Sequence, residues 1–335
     1  MSRRIMVLVL SVFLLAGISF SAFAQQDIKD VQDSVVALAG DISKALPFNS
    51  ALGLNWSDAY IGKITDGHFG VGVSVGATTM GVSSIKNLVK SFGQEFPLDF
   101  GFMPFPGYTV EGRIGGFVLP FDIGLKFGII PSMPLSTITL DYLQVGGDLR
   151  YAVLDGMANL ALPNVSLGFG VSYLSGAVGG IKVATGQQIV NIPFGNERIG
   201  LSDADVGLNW NTTALDLKAQ ISKTFAIVTP YLGLGGSYAF SNAGYSVNAT
   251  ITRNGNKITE ADINEINGYL KLLGIDPVDI DPETGISSSI PKSDFAVRVF
   301  GGLSLNLAAF RFDLTGLYNI LDSNFGGSIG LRFQL

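Results

Sequence analysis

The side chains able to do chemistry are few, and their types narrow the field. His68 is the sole histidine, and there is no cysteine. A Ser–His–Asp hydrolase or a His-rich metal site would therefore depend on His68 alone, and thiolate ligands and disulfides are excluded. The chain is expected to be no enzyme and to need no cofactor. Asp276, Asp279, Asp281 and Glu283 make the densest acidic cluster. Oxygen-rich spacing of this kind can hold Ca²⁺, which makes Asp279, Asp281 and Glu283 candidate ligands. The cluster lacks the glycine and distal glutamate of an EF-hand, and Pro277 and Pro282 favour a stiff solvated loop.

A second set of charges is spread along the chain at alternate positions: Glu111, Arg113, Asp122, Lys126, Asp148, Arg150, Asp216, Lys218, Arg298, Arg311, Asp313 and Arg332. Apolar residues flank them. Phe121, Ile123, Leu125, Phe127 and Ile129, for example, alternate with Asp122, Gly124, Lys126 and Gly128. Successive side chains of a strand point to opposite faces, so one face is apolar and the other small or charged. Charges enclosed on such a face should pair across strands, because unpaired ones are costly. If they lined an open pore, seven cations against five acids would favour anions.

The elements that position these charges are short strands with period-two alternation. Ten segments carry it, near 67–79, 108–118, 121–130, 137–153, 165–175, 212–222, 228–245, 295–306, 309–320 and 325–335, with Phe300 breaking the pattern. Aromatics gather near strand ends (Phe69, Tyr108, Phe121, Tyr173, Tyr318, Phe325), as interfacial girdles require. The composition is 47% apolar and 14% charged, against the ~25% charged of soluble domains. The predicted fold is all-β: an antiparallel transmembrane β-barrel of roughly ten strands, eight to fourteen being compatible with the pattern. Residues 52–64 and 180–194 are candidates for additional strands. With both ends on the periplasmic side, short turns fall at Leu119-Pro120, Ser222-Lys223-Thr224 and Ala308. Long connections at 80–107, 176–211 and 246–294 fall on the external side, and His68 faces the lumen at the periplasmic start of the first strand.

The beginning of the chain reads as an export signal. Arg3 and Arg4 precede an apolar run from Ile5 to Phe20, and Ser21-Ala22-Phe23-Ala24 offers a cleavage site after Ala24. The expected location is the bacterial outer membrane, with lipid around the barrel. The net charge of −6 and the absence of a basic cluster argue against nucleic acid as a partner. Residues 25–66 form an N-terminal segment ahead of a barrel spanning 67–335. In it, 27–46 read as an amphipathic helix with Ile28, Val31, Val35, Leu38, Ile42 and Ala45 on one stripe. It either plugs the lumen or packs on the periplasmic rim.

Two external loops also carry helical patterns. Ser83 is placed to cap a helix bearing Ile85, Leu88, Val89 and Phe92. Thr259 and Asp262 form a capping-box arrangement ahead of Ile263, Ile266, Leu270 and Leu273, with Gly274 as a stop. These faces either pack on each other over the mouth or form a groove for an apolar ligand, whose candidate residues are Ile85, Leu88, Phe92, Ile263, Ile266 and Leu270.

Two resemblances follow. Ser328-Ile329-Gly330-Leu331-Arg332-Phe333-Gln334-Leu335 resembles the terminal assembly signal of outer-membrane barrels, with Leu335 where an aromatic residue is usual. That implies recognition by the barrel-assembly machinery. The layout of an N-terminal luminal segment and helical external loops resembles long-chain fatty-acid transport barrels. Phe48-Asn49-Ser50-Ala51 stands where that family has Asn-Pro-Ala, with Ser50 in the place of the proline, and the chain is shorter than the family's fourteen-stranded barrel needs. The resemblance implies a gated passage or binding site for small hydrophobic molecules. The alternative is a structural barrel presenting loops 80–107 and 246–294 to a partner.

Overall fold

The structure, a computed structural model, describes residues 37–38, 40–84, 86–87, 101–135, 138–156, 162–182, 188–194, 197–272, 280–281 and 285–335. The export signal, Ile85, Leu88, Phe92, Asp279 and Glu283 lie outside the described residues, as do the side chains of Ile266, Leu270 and Asp281.

Among the described residues thirteen strands follow in chain order: β1 (Phe69–Gly81), β2 (Phe102–Gly115), β3 (Phe121–Leu135), β4 (Ile138–Leu154), β5 (Asn164–Lys182), β6 (Gln188–Phe194), β7 (Glu197–Ser222), β8 (Val228–Arg253), β9 (Asn256–Lys257), β10 (Ile280–Asp281), β11 (Gly285–Leu307), β12 (Phe310–Asn319) and β13 (Asn324–Gln334). Ten of them form a ring in the order β1-β2-β3-β4-β5-β7-β8-β11-β12-β13, and all neighbours are antiparallel. The first and last strands close it, with Val73 opposite Leu331 and Val75 opposite Ile329. β6, β9 and β10 are short additions to β7, β8 and β11. Closure removes the unpaired edges that an open sheet would present.

The alternation sorts the side chains as lipid requires. Val71 is 55% exposed and Leu125 66%, whereas Arg150, Arg298 and Arg332 inside the ring are at most 2% exposed. An apolar exterior around a charged interior, on a closed antiparallel ring, is the architecture of an outer-membrane β-barrel. No helix among the described residues is long and apolar enough to cross a membrane; the crossing is made by strands.

Both Phe69 and Gln334 lie at one rim, the termini side, where the Leu335 amide donates to the Phe69 carbonyl at 3.0 Å. On the far side the strands run well past the predicted limits. The expected connection at 176–211 is largely strand, because β5 reaches Lys182 and β7 begins at Glu197; that at 246–294 is strand at both ends, with β8 reaching Arg253 and β11 beginning at Gly285. β7 and β8 have 26 residues each, about 85 Å at roughly 3.3 Å per residue, against the ~9–11 residues that cross a bilayer. Beyond the lipid no face has to be apolar, so the hydrophobic period fades while the backbone ladder continues.

Of the two candidate extra strands, 180–194 contributes β6, paired to β7. Residues 52–64 make no strand; they run through the interior and end in the 3-10 turn Ile64–Asp66. The helix expected over 27–46 is seen from residue 37 and continues to 49. Pro47 falls in the last turn and cannot donate a helical hydrogen bond to the Ser43 carbonyl, and the helix ends two residues later.

Candidate functional site

Of the twelve charges expected in the lumen, ten are buried, Asp216 and Arg311 are half-buried, and most are paired. Arg113 Nη1 reaches Asp122 Oδ1 at 2.5 Å and its Nη2 reaches Asp148 Oδ1 at 2.6 Å. Arg150 Nε and Nη2 donate to the two oxygens of Asp122 at 2.8 and 2.9 Å. Lys218 Nζ lies 2.6 Å from Asp148 Oδ2. Arg298 grips Asp216 through both terminal nitrogens at 2.6 and 2.9 Å, and Ser237 donates to the same carboxylate at 2.6 Å. Arg332 Nε lies 2.8 Å from Asp313 Oδ2. Glu111 is satisfied by neutral donors: Ser74 at 2.5 Å, Thr109 at 2.7 Å and Trp56 Nε1 at 2.7 Å.

The remaining cationic capacity goes to a second object inside the ring, residues 37–62. From Ser50 to Asp58 this segment has no regular secondary structure and is buried throughout. The amides of Ser50, Ala51 and Leu52 turn back on the Leu46, Phe48 and Asn49 carbonyls, and Asn55 Nδ2 donates to the Ala51 carbonyl; the other backbone groups are shut off from bulk water, so the wall supplies partners. A ladder of side-chain donors does so. Lys126 Nζ donates to the carbonyls of Ser50 and Leu52 at 2.6 and 2.7 Å, and Gln144 Nε2 to the same two at 3.1 and 3.2 Å. Lys218 donates to Leu54 at 3.3 Å, the Tyr231 hydroxyl to Asn55 at 3.3 Å, and Gln220 to Trp56 and Ser57 at 2.8 and 3.1 Å. Arg150 Nη1 closes the series on the Asp58 carbonyl at 2.6 Å. The amides of Ala59 and Ile61 donate to Ser222 Oγ and Asp122 Oδ2 at 2.9 and 3.2 Å.

Two side chains anchor this stretch. Asp58 accepts from Arg332 Nη2 at 2.9 Å and lies 3.4 Å from Arg311 Nη1. The excess of wall cations is thereby answered by Asp58 and by carbonyls, in place of the open anion path that the count suggested. Two guanidinium groups lie over the Trp56 ring, with Arg332 Cζ 4.7 Å and Arg113 Cζ 5.6 Å from its centroid. Close packing shapes the wall: a Cβ on Gly107 would meet Leu52 Cδ1 at 2.5 Å.

Towards the far side the interior becomes apolar. Leu38, Ile42, Ala45 and Leu46 of the helix pack with Met80, Val82, Phe105, Tyr142, Leu174, Leu208, Trp210 and Ala243 of the wall. The Phe105 and Trp210 rings are 4.8 Å apart. Phe300, the break in alternation, faces inward, where it packs with Phe48, Leu52, Tyr231 and Leu317. At the junction Asn49 Nδ2 donates to Thr78 Oγ1 at 2.9 Å and to the Phe105 carbonyl at 3.0 Å. A cavity of about 20 Å³ remains beside Trp56, bordered by Ser74, Glu111, Asp313 and Arg332.

Of the predicted groove residues, Ile263 is buried at 7% exposure on the far-side helix Glu260–Leu272. The capping box is present: Thr259 Oγ1 donates to Asp262 Oδ2 at 2.6 Å, and the Asp262 amide donates back to Thr259 Oγ1 at 3.3 Å. These hydrogen bonds and Arg253 beside it hold the Asp262 carboxyl below the usual aspartate range. His68 stands at the termini rim, with Nδ1 3.2 Å from the Leu335 carbonyl oxygen and its ring against Gly62. Gly62 has φ +104°, and a Cβ there would lie 2.3 Å from the His68 Cδ2. Sequence reasoning missed Trp56, Asp58, Gln144, Gln220 and Tyr231. The one available signal was Asp58, the lone charge between Lys44 and Lys63.

No family model matches the chain, and no curated protein matches it. Solved structures similar to it include the outer membrane protease OmpT from Escherichia coli, at 10% identity and a TM-score of 0.37, covering 80% of this chain and 97% of that one. The translocator domain of the autotransporter NalP from Neisseria meningitidis matches at 11% identity and a TM-score of 0.40, covering 90% of this chain and 97% of that domain. The toluene transporter TbuX of Ralstonia pickettii matches at 9% identity and a TM-score of 0.26, covering 80% and 89%. Likeness at this level assigns the chain neither a family nor an activity.

Proposed function

We propose that this barrel is a gated passage of the bacterial outer membrane for small apolar molecules, with residues 37–62 as the gate. The observation that carries the reading is how the interior segment is held. From Ser50 to Ile61 its contacts to the wall are side-chain hydrogen bonds, ion pairs and ring packing, and it adds no strand to the ladder. It can therefore shift without breaking a single strand pairing of the barrel. The substrate class follows from the far half of the interior, where Met80, Phe105, Leu174 and Trp210 form an apolar wall that the helix covers. A small apolar molecule would cover the same surface once the helix withdrew. Trp210 Nε1 and Ser43 Oγ are buried there without a hydrogen-bond partner, which suits an apolar body carrying one acceptor atom. The passage assigns no bond-making step to any residue.

The test uses the absence of native cysteine. Asn49→Cys with Thr78→Cys places two thiols where the native side chains already hydrogen-bond at 2.9 Å. Oxidised, the refolded barrel should lose uptake of the apolar dye N-phenyl-naphthylamine into proteoliposomes, and a reductant should restore it. Deleting residues 37–50 should raise both dye uptake and single-channel conductance. If neither lock nor deletion changes either readout, the barrel is a closed scaffold that displays its external loops.

A further inference from the structure

β12 and β13 place Arg311 and Arg332 directly opposite each other on the inner face of the wall. Like charges in that position repel, their Cβ atoms being about 5 Å apart. Arg332 is well compensated, with Asp313 Oδ2 2.8 Å from its Nε and Asp58 Oδ2 2.9 Å from its Nη2. Arg311 is not. Among the described residues Asp58 is its one carboxylate partner, with Oδ2 at 3.4 Å and Oδ1 at 3.5 Å from Nη1. A well-formed charged hydrogen bond measures about 2.7–2.9 Å. The other contact of Nη1 is the neutral Asn306 Oδ1 at 3.0 Å, and Arg311 Nε is buried with no hydrogen-bond partner.

The tether explains the poor fit. The backbone of Asp58 is pinned by Arg150 Nη1 on its carbonyl at 2.6 Å, and that of Ala59 by Ser222 Oγ on its amide at 2.9 Å. The carboxylate is thereby held close to Arg332 and short of Arg311. A carboxylate free of the chain has no such constraint and can set one oxygen against each guanidinium. Arg311 is also the member that solution reaches. Its side chain is 20% exposed, against 1% for Arg332, and it follows the Ala308-Ala309 turn at the termini rim. Without Asp58, the two guanidinium groups face only Asp313, which leaves one positive charge for a monoanion to cancel. We infer that Arg311 and Arg332 form a binding site for a small carboxylate, which Asp58 fills in this structure and from which a carboxylate in solution displaces it. The cavity bordered by Arg332 and Asp313 measures about 20 Å³, room for about one water. The ligand must therefore take the volume of the Asp58 carboxyl group itself, which sets its size near that of formate. The site is independent of whether the interior segment moves to pass apolar molecules.

Asp58→Ala removes the carboxyl group and leaves a methyl, so formate supplies the missing atoms. The refolded variant should unfold at lower urea than the native barrel. Sodium formate should raise its midpoint along a saturating curve and recover most of the loss, and sodium chloride at equal ionic strength should not. Adding Arg311→Met to Asp58→Ala should abolish the formate response, and Asp58→Asn, whose amide fills the space, should show none. If Asp58→Ala refolds only in formate, the refolded yield becomes the readout and supports the site; refolding in neither salt counts against it. In the native barrel, formate should speed hydrogen exchange of the Ala59 amide severalfold by competing with Asp58. Equal effects of formate and chloride, a response that survives Arg311→Met, or native exchange indifferent to formate would each overturn the inference.

Discussion

On the far side of the barrel interior, Leu38, Ile42 and Leu46 meet Met80, Phe105, Leu174 and Trp210. On the termini side, Trp56 and Asp58 meet Arg113, Arg150, Arg311 and Arg332. One continuous segment is thus held by burial of area at one end and by pairing of charge at the other. The two modes fail differently. Apolar packing weakens in proportion to the volume removed, whereas a buried ion network fails abruptly when one member leaves its partners uncompensated. The carbonyl and carboxylate contacts also fix each residue of the termini half in register. In the proposed gate, the termini half would act as the latch and the far half as the movable cover.

The sharpest way to break this comparison is at Asp122, which joins Arg113, Arg150 and the Ile61 amide. Asp122→Ala leaves two buried guanidinium groups short of a counter-charge and should cost about 3–5 kcal/mol. Urea unfolding of the barrel refolded in vesicles would show it as a lower midpoint. Replacing the cluster together, with Arg113→Met, Asp122→Leu and Arg150→Met, should cost less than the single change, because Asp148 loses Arg113 but keeps Lys218 at 2.6 Å and no charge is left without a partner. A triple variant less stable than Asp122→Ala would contradict the reading of this half as a charge-paired latch.

The apolar half should answer to size. Leu46 is fully buried in the helix stripe, so Leu46→Ala should cost about 2–4 kcal/mol through transfer and cavity terms. Leu46→Met keeps the volume and should cost less than about 1.5 kcal/mol. Because the lost packing faces the movable cover, Leu46→Ala should also raise dye uptake in the proteoliposome assay, and Leu46→Met should not. An equal cost for the two substitutions would remove the distinction between the halves.

How much of this was legible in the sequence depended on whether lipid was present to read against. Asp122, Lys126, Arg150 and Arg332 stood out because lipid-facing residues flank them at period two. Phe300 showed only as an irregularity, since an inward aromatic is explained by Phe48 and Tyr231, which lie far from it in sequence. The far ends of β7 and β8 were hidden because backbone pairing outside the membrane leaves no hydrophobic period. Residues 50–58 were hidden for a deeper reason: their main contacts are made by carbonyls, which every residue type carries alike. Gln144 and Gln220, which hold those carbonyls, looked like ordinary small-polar members of the inner face.

A control outside both halves is the far-side helix Glu260–Leu272, where the hold is a local cap in water. Thr259→Ala removes the hydroxyl that donates to Asp262 and accepts the Asp262 amide, and should loosen the first turn by about 1 kcal/mol. The effect belongs in amide hydrogen exchange of that turn, with the global unfolding midpoint unmoved. Its pH dependence has a definite sign. The Asp262 carboxyl is held below its ordinary range in the folded protein, so its contribution is complete above the unfolded aspartate value. It is lost as pH falls through the lowered folded value. Exchange in the first turn of the native protein should therefore show extra acid-induced loosening that Thr259→Ala largely lacks. If Thr259→Ala instead raised dye uptake or lowered the global midpoint, the cap would be coupled to the gate, and the separation of cover from latch would have to include this helix.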